Sequence, residues 1–345
     1  MKLQLLILIC FVFAINVSGQ KKSNNSENNF TVVFYNTENL FDTIHDASKN
    51  DNEFLPNSPK KWTSQRYFTK INNIAKVLSS INTNELPEII CLSEVENKTV
   101  LNDLINSSFL KKGNYAIVHE EGPDPRGIDV ALLYRKDKFK YLSHKAIPVN
   151  FTLDKKNDSR EMLYVKGIIS NADTLNVFVN HWKSRIGGID KTESKRMFAA
   201  MSLRNKVDSL IMLNPKSKII IVGDFNDEPT NKSLFSILQA NNKRYNINQN
   251  DLYNLMYDKH NSNGEGTHYY KGTWNMLDNI IVSYNLINSD KGFKTTYDGG
   301  KIFKADWLMK KNPKTNEMSL FETYDGNKYS GGFSDHLPVY VILKK

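Results

Sequence analysis

The chain has 345 residues, 40% of them hydrophobic and 24% charged, with two cysteines. That balance is globular and excludes collagen-like, low-complexity and disulfide-framework classes. A formal charge of +9 suits a polyanionic partner such as nucleic acid or an anionic membrane surface, although scattered lysines such as Lys60-Lys61 and Lys310-Lys311 also serve solubility.

Lys2 precedes a nearly unbroken apolar run over residues 3–17, which closes on Ser18-Gly19. This reads as a secretory signal peptide over residues 1–19, too short and weakly flanked for a membrane span. Loss of Lys2 with that segment takes the charge from +9 to +8. Cys10 lies inside the apolar run and lacks the small preceding residue expected of a lipidation site. The mature chain then keeps only Cys91, a small hydrophobe in the run 89–92, so stability rests on a large core without disulfides. No later stretch is long and apolar enough to cross a bilayer. The expectation is a secreted or periplasmic monomer.

Residues 20–29 hold no apolar side chain and read as a disordered leader. A strand at 30–35 ends in Asn36-Thr37-Glu38. A polar loop over 42–61 leads to a helix at 64–81, where Tyr67, Ile71, Ile74, Leu78 and Ile81 share one face. A buried strand at 88–93 ends in Glu94-Val95-Glu96, followed by a short helix at 99–105. Strands at 115–119 and 129–134 flank a Gly/Pro turn carrying Arg126. Further strands lie at 138–149, 163–169 and 175–179, the last ending in Asn180-His181-Trp182-Lys183-Ser184-Arg185. A helix over 192–213 is expected to turn Met197, Phe198, Met201, Leu203, Val207 and Leu210 inward. The apolar run 219–222 enters Gly223, Asp224, Phe225, Asn226 and Asp227, the pattern of a strand buried on both faces with a glycine for close backbone approach. A helix is expected at 232–240, polar loop over 241–272, a strand at 276–283 with Asp278 near its start, irregular chain over 290–330, and a last strand at 337–343 after Ser334-Asp335-His336. No repeat or linker divides residues 30–345, so they read as one domain, an α/β sandwich of two mixed sheets with helices outside.

Polar groups stand at five strand ends: Asn36/Glu38, Glu94, Asn180/His181, Asp224/Asn226 and Asp335/His336, with Asp278 near a sixth. Each alone is an ordinary turn; together they make an acidic pocket with two histidines. Carboxylates and amides suit a hard cation, Mg2+ best, with Mn2+ or Ca2+ possible. HExxH, paired CxxC, the P-loop and the GxSxG elbow are all absent, which argues against zinc, P-loop and serine-hydrolase chemistry.

Asn36-Thr37-Glu38, SEVE at 93–96, NHWKSR at 180–185, GDFND at 223–227, LDNIIVS at 277–283 and SDHLPV at 334–339 occur in one order. In these six motifs the chain resembles the endonuclease/exonuclease/phosphatase superfamily, over residues 30–345 and closest to its deoxyribonuclease-like branch. The resemblance implies a four-layer α/β/β/α sandwich and Mg2+-dependent cleavage of phosphoesters. It implies metal ligation by Glu94, on the strand neighbouring that of Asp224, with Asn36, Glu38 and Asp335. His336 is implied as general base, held by Asp278. Asp224 and Asn226 orient the nucleophile and contact phosphate, and His181 is a phosphate ligand or general acid. Glu96 stands where the deoxyribonucleases carry a substrate-binding arginine, which sets this chain apart from their DNA contacts.

Arg126, Lys183, Arg185 and His268 are candidates to meet substrate phosphate, with solvated loop residues as the plainer reading. Tyr269, Tyr270 and Trp274 are equally suited to stacking on bases or to packing. His45, His119, His144 and His260 receive no role. The function expected is that of a secreted Mg2+-dependent phosphodiesterase, foremost a nuclease on DNA or RNA. The alternatives are a phosphatase or sphingomyelinase-like phospholipase and, in a different class, a nonenzymatic polyanion-binding module.

Overall fold

A computed structural model describes residues 28–82, 85–149, 160–169, 173–263, 265–311 and 316–345. The signal peptide and residues 20–27 of the expected leader lie outside the described residues. Asn29, assigned above to the leader, already pairs in a strand opposite Lys344.

The first sheet is built from β1 (Asn29–Leu40), β2 (Ile89–Val95), β3 (Tyr115–His119) and β4 (Asp129–Arg135). The second takes β5 (Lys140–Ile147), β6 (Met162–Ile169), β7 (Asp173–His181), β8 (Lys218–Asp224) and β9 (Leu252–Asn254). A hairpin of β10 (His268–Tyr270) and β11 (Thr273–Asn275) precedes β12 (Asp278–Ser283), which joins the second sheet. The remaining strands are β13 (Gly300–Ile302), β14 (Met309–Lys311), β15 (Met318–Leu320), β16 (Tyr324–Asp325), β17 (Lys328–Tyr329) and β18 (Val339–Lys344). Among the described residues the orders are β13-β18-β1-β2-β4-β3 and β5-β6-β7-β8-β12-β9. Among the described strands only β1–β2 and β7–β8 pair in parallel, so both sheets are mixed.

Alternation in these strands fills both faces of each sheet. Phe30, Val32 and Phe34 of β1 pack between the sheets with Cys91, Val177, Val179, Ile220, Val222 and Val341. Val33 and Tyr35 turn the other way, with Ile90 and Leu92, onto α1 (Ser64–Ser80) and α2 (Lys98–Ile105). Phe178, Ile219 and Ile221 face α3 (Ile189–Leu213). The result is the expected four layers, helix, sheet, sheet, helix. Two shorter helices are α4 (Tyr257–Asn263) and α5 (Tyr284–Asn288), the second packed beside β8 and β12.

The inward face of α3 differs from the expected one. Met201 is 47% exposed, and the buried residues are Thr192, Arg196, Ala199, Ala200, Leu203, Arg204, Val207 and Ile211. Leu203 and Val207 are buried and Phe198 and Leu210 pack against the core, as expected; the difference lies at Met201 and at two buried arginines that a count of hydrophobes leaves out. The expected helix over 232–240 is a single π-type turn, Ser233–Ile237. It is closed by Leu238 N donating to Ser233 O at 2.9 Å and stopped by Gln239 in the left-handed region. The stretches read as loop over 241–272 and 290–330 contain the short elements β9, α4, β10, β13 and β14–β17.

Candidate functional site

The inner rows of the two sheets run out of apolar residues at one end of the sandwich. Period-two alternation continues Phe30, Val32, Phe34 into Asn36, and Leu175, Val177, Val179 into His181. It likewise continues Ile220, Val222 into Asp224, and Val282, Ile280 back into Asp278. Four polar side chains therefore close the inter-sheet core. Gly223 lets β8 approach β7: a Cβ there would lie 2.5 Å from Asn180 O.

Glu94 reaches the same place by breaking the alternation. In strict order it would follow Ile90 and Leu92 toward the helices. Pairing with β4 passes from Ser93↔Val130 to Val95↔Asp129, so Glu94 is an extra residue, with φ 60°. Pairing of β1 with β2 slips at the same level, and Glu38 and Asn39 also have positive φ. Such conformations cost about 1 kcal/mol or more each in a non-glycine residue. Here they carry the Glu94 carboxylate across, where Asn39 N donates to its Oε2 at 2.9 Å and His181 Nε2 stands 3.6 Å from its Oε1. β2 and β8 belong to different sheets, so Glu94 faces Asp224 across the sandwich and is not on a neighbouring strand.

His336 Nδ1 lies 2.7 Å from Asp278 Oδ2, and its Nε2 lies 3.9 Å from Asp224 Oδ2. All three are buried. Burial alone would lower the His336 pKa; Asp278, Asp335 and Asp224 outweigh it and hold the imidazole well above its ordinary value. Asp224 is pushed up to about 7 by burial, with His336 opposing and Asp278 and Glu94 adding. It accepts from Asn36 Nδ2 at 3.1 Å and from Asn226 N at 2.9 Å. Burial also raises Asp335, with Glu94 and Asp278 adding to the rise. His181 stands 3.7 Å from Asp224 and is held well below its ordinary pKa by burial, then by Arg160 and Arg126.

The structure thus brings together Asn36, Glu94, His181, Asp224, Asp278, Asp335 and His336. It adds His268, whose ring centroid lies 4.8 Å from that of His336. Burial, then His336, lowers the His268 pKa to about 3. Asn226 adjoins the site, but its Nδ2 donates to Trp182 O at 3.1 Å. Glu38 turns its Oε2 to Thr323 N and Oγ1, both at 2.8 Å, and to Lys70 Nζ at 3.4 Å. Arg185 braces the loop after β8, donating to Asn226 O at 2.7 Å and Asn231 Oδ1 at 2.9 Å. Lys183 is exposed, and Arg126 is half-buried beside Asp124. Glu96 holds Asp42 N at 2.6 Å and takes no part in the site. Tyr269 and Trp274 pack on each other and on the core, while Tyr270 is 58% exposed.

Sequence reasoning passed over two cations. Lys70 is buried behind Glu38 and donates to Phe333 O at 2.7 Å. It occupies the apolar stripe of α1 between Tyr67 and Ile74, a signal in itself, since a lysine there needs a buried partner. Arg160 donates to Asp124 Oδ2 at 3.0 Å and Trp182 O at 2.8 Å, closing the flank beside His181. No local pattern marks it.

The donor set fits a hard cation. Glu94, Asp335 and the Asn36 carboxamide offer oxygen, and burial raises the pKa of the Asp335 and Asp224 carboxyls. Asp278 Oδ1 is buried without a hydrogen-bond partner. Asp224, Asp278 and His336 also offer ligand atoms within 4.8 Å of one another.

Comparison with curated proteins finds no match. Solved structures do match. D. rerio TDP2 complexed with a single-strand DNA product superposes with TM-score 0.54 at 12% identity, covering 92% of this chain and 99% of that one. A mannosyl-6-phosphatase from Bacteroides thetaiotaomicron gives TM-score 0.56 at 16% identity, covering 92% and 100%. The human Nocturnin catalytic domain with bound sulfate gives 0.53 at 16%, covering 92% and 94%. At these identities the likeness is one of fold. The model of the Endonuclease/Exonuclease/phosphatase family matches residues 31–345, nearly the whole chain, and the chain belongs to that family.

Proposed function

We propose that the protein is a secreted, Mg2+-dependent phosphodiesterase that cleaves nucleic acid by in-line attack of water on phosphorus. The observation that carries this reading is the Asp278–His336–Asp224 arrangement facing Glu94. It is an acid–base pair built beside a carboxylate cluster suited to a divalent ion. Glu94, Asp335 and Asn36 would hold Mg2+, which would neutralise charge on the phosphate, with Glu38 supporting from behind. In its neutral form His336 accepts at Nε2 the proton of the attacking water while the opposite P–O ester bond breaks, and the departing oxygen takes a proton from solvent. Asp278 holds the opposite ring nitrogen and stabilises the imidazolium. Asp224 orients the water, itself aligned by Asn36 and the Asn226 amide. His181 and Asn226 meet the phosphate oxygens, and Arg160 and Arg126 keep positive potential on that flank. The net charge of +9 supports a polyanionic substrate. So does the likeness in fold to D. rerio TDP2, solved with a single-strand DNA product.

The Arg126/Arg160 flank also favours a second reading, a phosphatase on small phosphomonoesters, whose dianionic phosphate needs more local positive charge than a diester. The mannosyl-6-phosphatase of the same fold is in keeping with it. One panel separates the two. The full chain is incubated with plasmid DNA, RNA and sugar phosphates, with Mg2+ and with EDTA. Nicking that stops with EDTA supports the nuclease. Turnover of a monoester without nicking moves the assignment to the phosphatase. Polyanion binding that survives EDTA with no turnover leaves only a binding module.

A further inference from the structure

We propose that His268, Asp335 and His336 form a binding site for a transition-metal ion such as Zn2+, overlapping the oxygen-lined site at Glu94 through Asp335, and that its occupancy shuts down hydrolysis. The three side chains each offer a ligand atom, and these atoms lie within 4.8 Å of one another. Tetrahedral ligands of one zinc stand about 3.3 Å apart, so a short inward rotation closes the set. Two imidazoles with one carboxylate select a borderline-soft cation, whereas Mg2+ takes oxygen.

The frame for this site is already rigid. His268 bridges His336 in antiparallel fashion, and Leu337 N donates to Thr267 O at 2.7 Å. Thr267 is pinned in turn, accepting from Asp278 N at 3.1 Å through its hydroxyl and donating its N–H to Asn275 O at 2.9 Å. The outer shell is also present. Asp278 engages Nδ1 of His336, which leaves Nε2 as the ligating atom, the carboxylate–histidine–metal arrangement that fixes the tautomer and raises ligand basicity. The ligands lie 67 and 68 positions apart in sequence, so no zinc motif announces them.

The consequence for hydrolysis rests on the function proposed above. An ion on His336 Nε2 occupies the nitrogen that accepts the proton of water. Asp335 is shared with the hard-cation set, so the two ions compete.

Co2+ is the probe, because its visible absorption reports imidazole ligation without any turnover. Titration into the full chain, free of Mg2+, is expected to give a band saturating at one equivalent and displaced by Zn2+. His268→Ala is expected to weaken Co2+ binding at least about tenfold. His268→Gln serves as a second variant, with folding of both checked by circular dichroism. Where hydrolysis is measurable, the Zn2+ inhibition constant rises in parallel in the His268 variants, each against its own Mg2+-supported rate. No band in the native chain, or native affinity in both His268 variants, overturns the site. Loss of the band on His268 substitution in a chain that hydrolyses no phosphoester keeps the site and sinks only the catalytic reading.

Discussion

Arg196 offers the sharpest test of how the GDFND loop is held. It is fully buried on α3, with Nε 2.8 Å from Asp227 Oδ2 and Nη1 donating to Thr192 Oγ1 at 2.7 Å. Asp227 is as deeply buried and keeps two other partners, Ser233 Oγ at 2.6 Å and Arg185 Nη2 at 3.5 Å. Arg196→Met keeps the volume and removes the charge. Deleting one partner of a buried pair costs about 3–5 kcal/mol, because the other charge stays in low dielectric. Arg185 and Ser233 remain, so the low end applies, about 3 kcal/mol. At about 2 °C per kcal/mol for a chain of this size, the melting temperature falls by about 6 °C. Urea unfolding monitored by circular dichroism measures the free energy. Arg196→Met with Asp227→Asn is expected to recover about 2 kcal/mol of the summed single losses, since no unpaired charge is left. The pair Arg244–Asp258, 45% exposed on each side, provides the contrast: Arg244→Met costs under about 0.5 kcal/mol. An Arg196→Met protein within about 1 kcal/mol of the native one, or strictly additive losses in the double variant, would refute the buried-pair account.

Other substitutions test the site and the frame. His336→Ala is expected to lower kcat on the best phosphoester substrate by about 10²–10⁴, and a rate within threefold of native would remove His336 from proton transfer. Asp278→Asn loses a charge-assisted bond worth about 1.5–3 kcal/mol, so kcat falls by about 10–10² with KM little changed. Gly223→Ala sets a Cβ 2.5 Å from Asn180 O, a backbone atom that cannot swing aside, and is expected to cost about 1–3 kcal/mol in thermal unfolding. Glu88 accepts from Thr31 N at 2.6 Å, and burial, against that bond, raises its pKa from 4.5 to about 7. Its folded pKa is the higher one, so its contribution is fully present below pH 4.5 and is lost as pH rises through about 7. Glu88→Gln should therefore flatten the fall in stability over that window, by up to about 3 kcal/mol at pH 8. An unchanged slope would show that Glu88 does not titrate there.

What could be read from residues alone follows from what alternation makes visible. Buried strands at 89–92 and 219–222 carry continuous apolar runs, and the polar residues ending those runs are the ones the fold gathers. Glu94 was legible as a strand-end acid, but the bulge that turns it inward was not, because a positive φ leaves no mark in a run of ordinary side chains. The buried face of α3 was legible at Leu203 and Val207 but not at Arg196 and Arg204, which are core residues only by virtue of Asp227, Asp208 and carbonyls distant in sequence. Arg185 was legible as a cation near the site but not as a brace, since its partners Asn226 and Asn231 arrive from another strand's exit loop. His268 looked like a loop residue. Only the β10–β11 hairpin, folding back beside His336, gives it a place.

One pairing sets the order in which the molecule can assemble. β1 sits in the interior of its sheet, with β18 on one side, and Asn29 is registered against Lys344. The half of the β1 ladder facing β18 has no partner until more than 300 further residues have been made. A ribosome emitting this chain in sequence exposes Phe30–Phe34 long before their cover exists, so closure of the sandwich is a late, whole-chain event with a large loop-entropy cost. The first sheet is expected to stay incomplete during synthesis, with its inner apolar row uncovered until the last strand arrives.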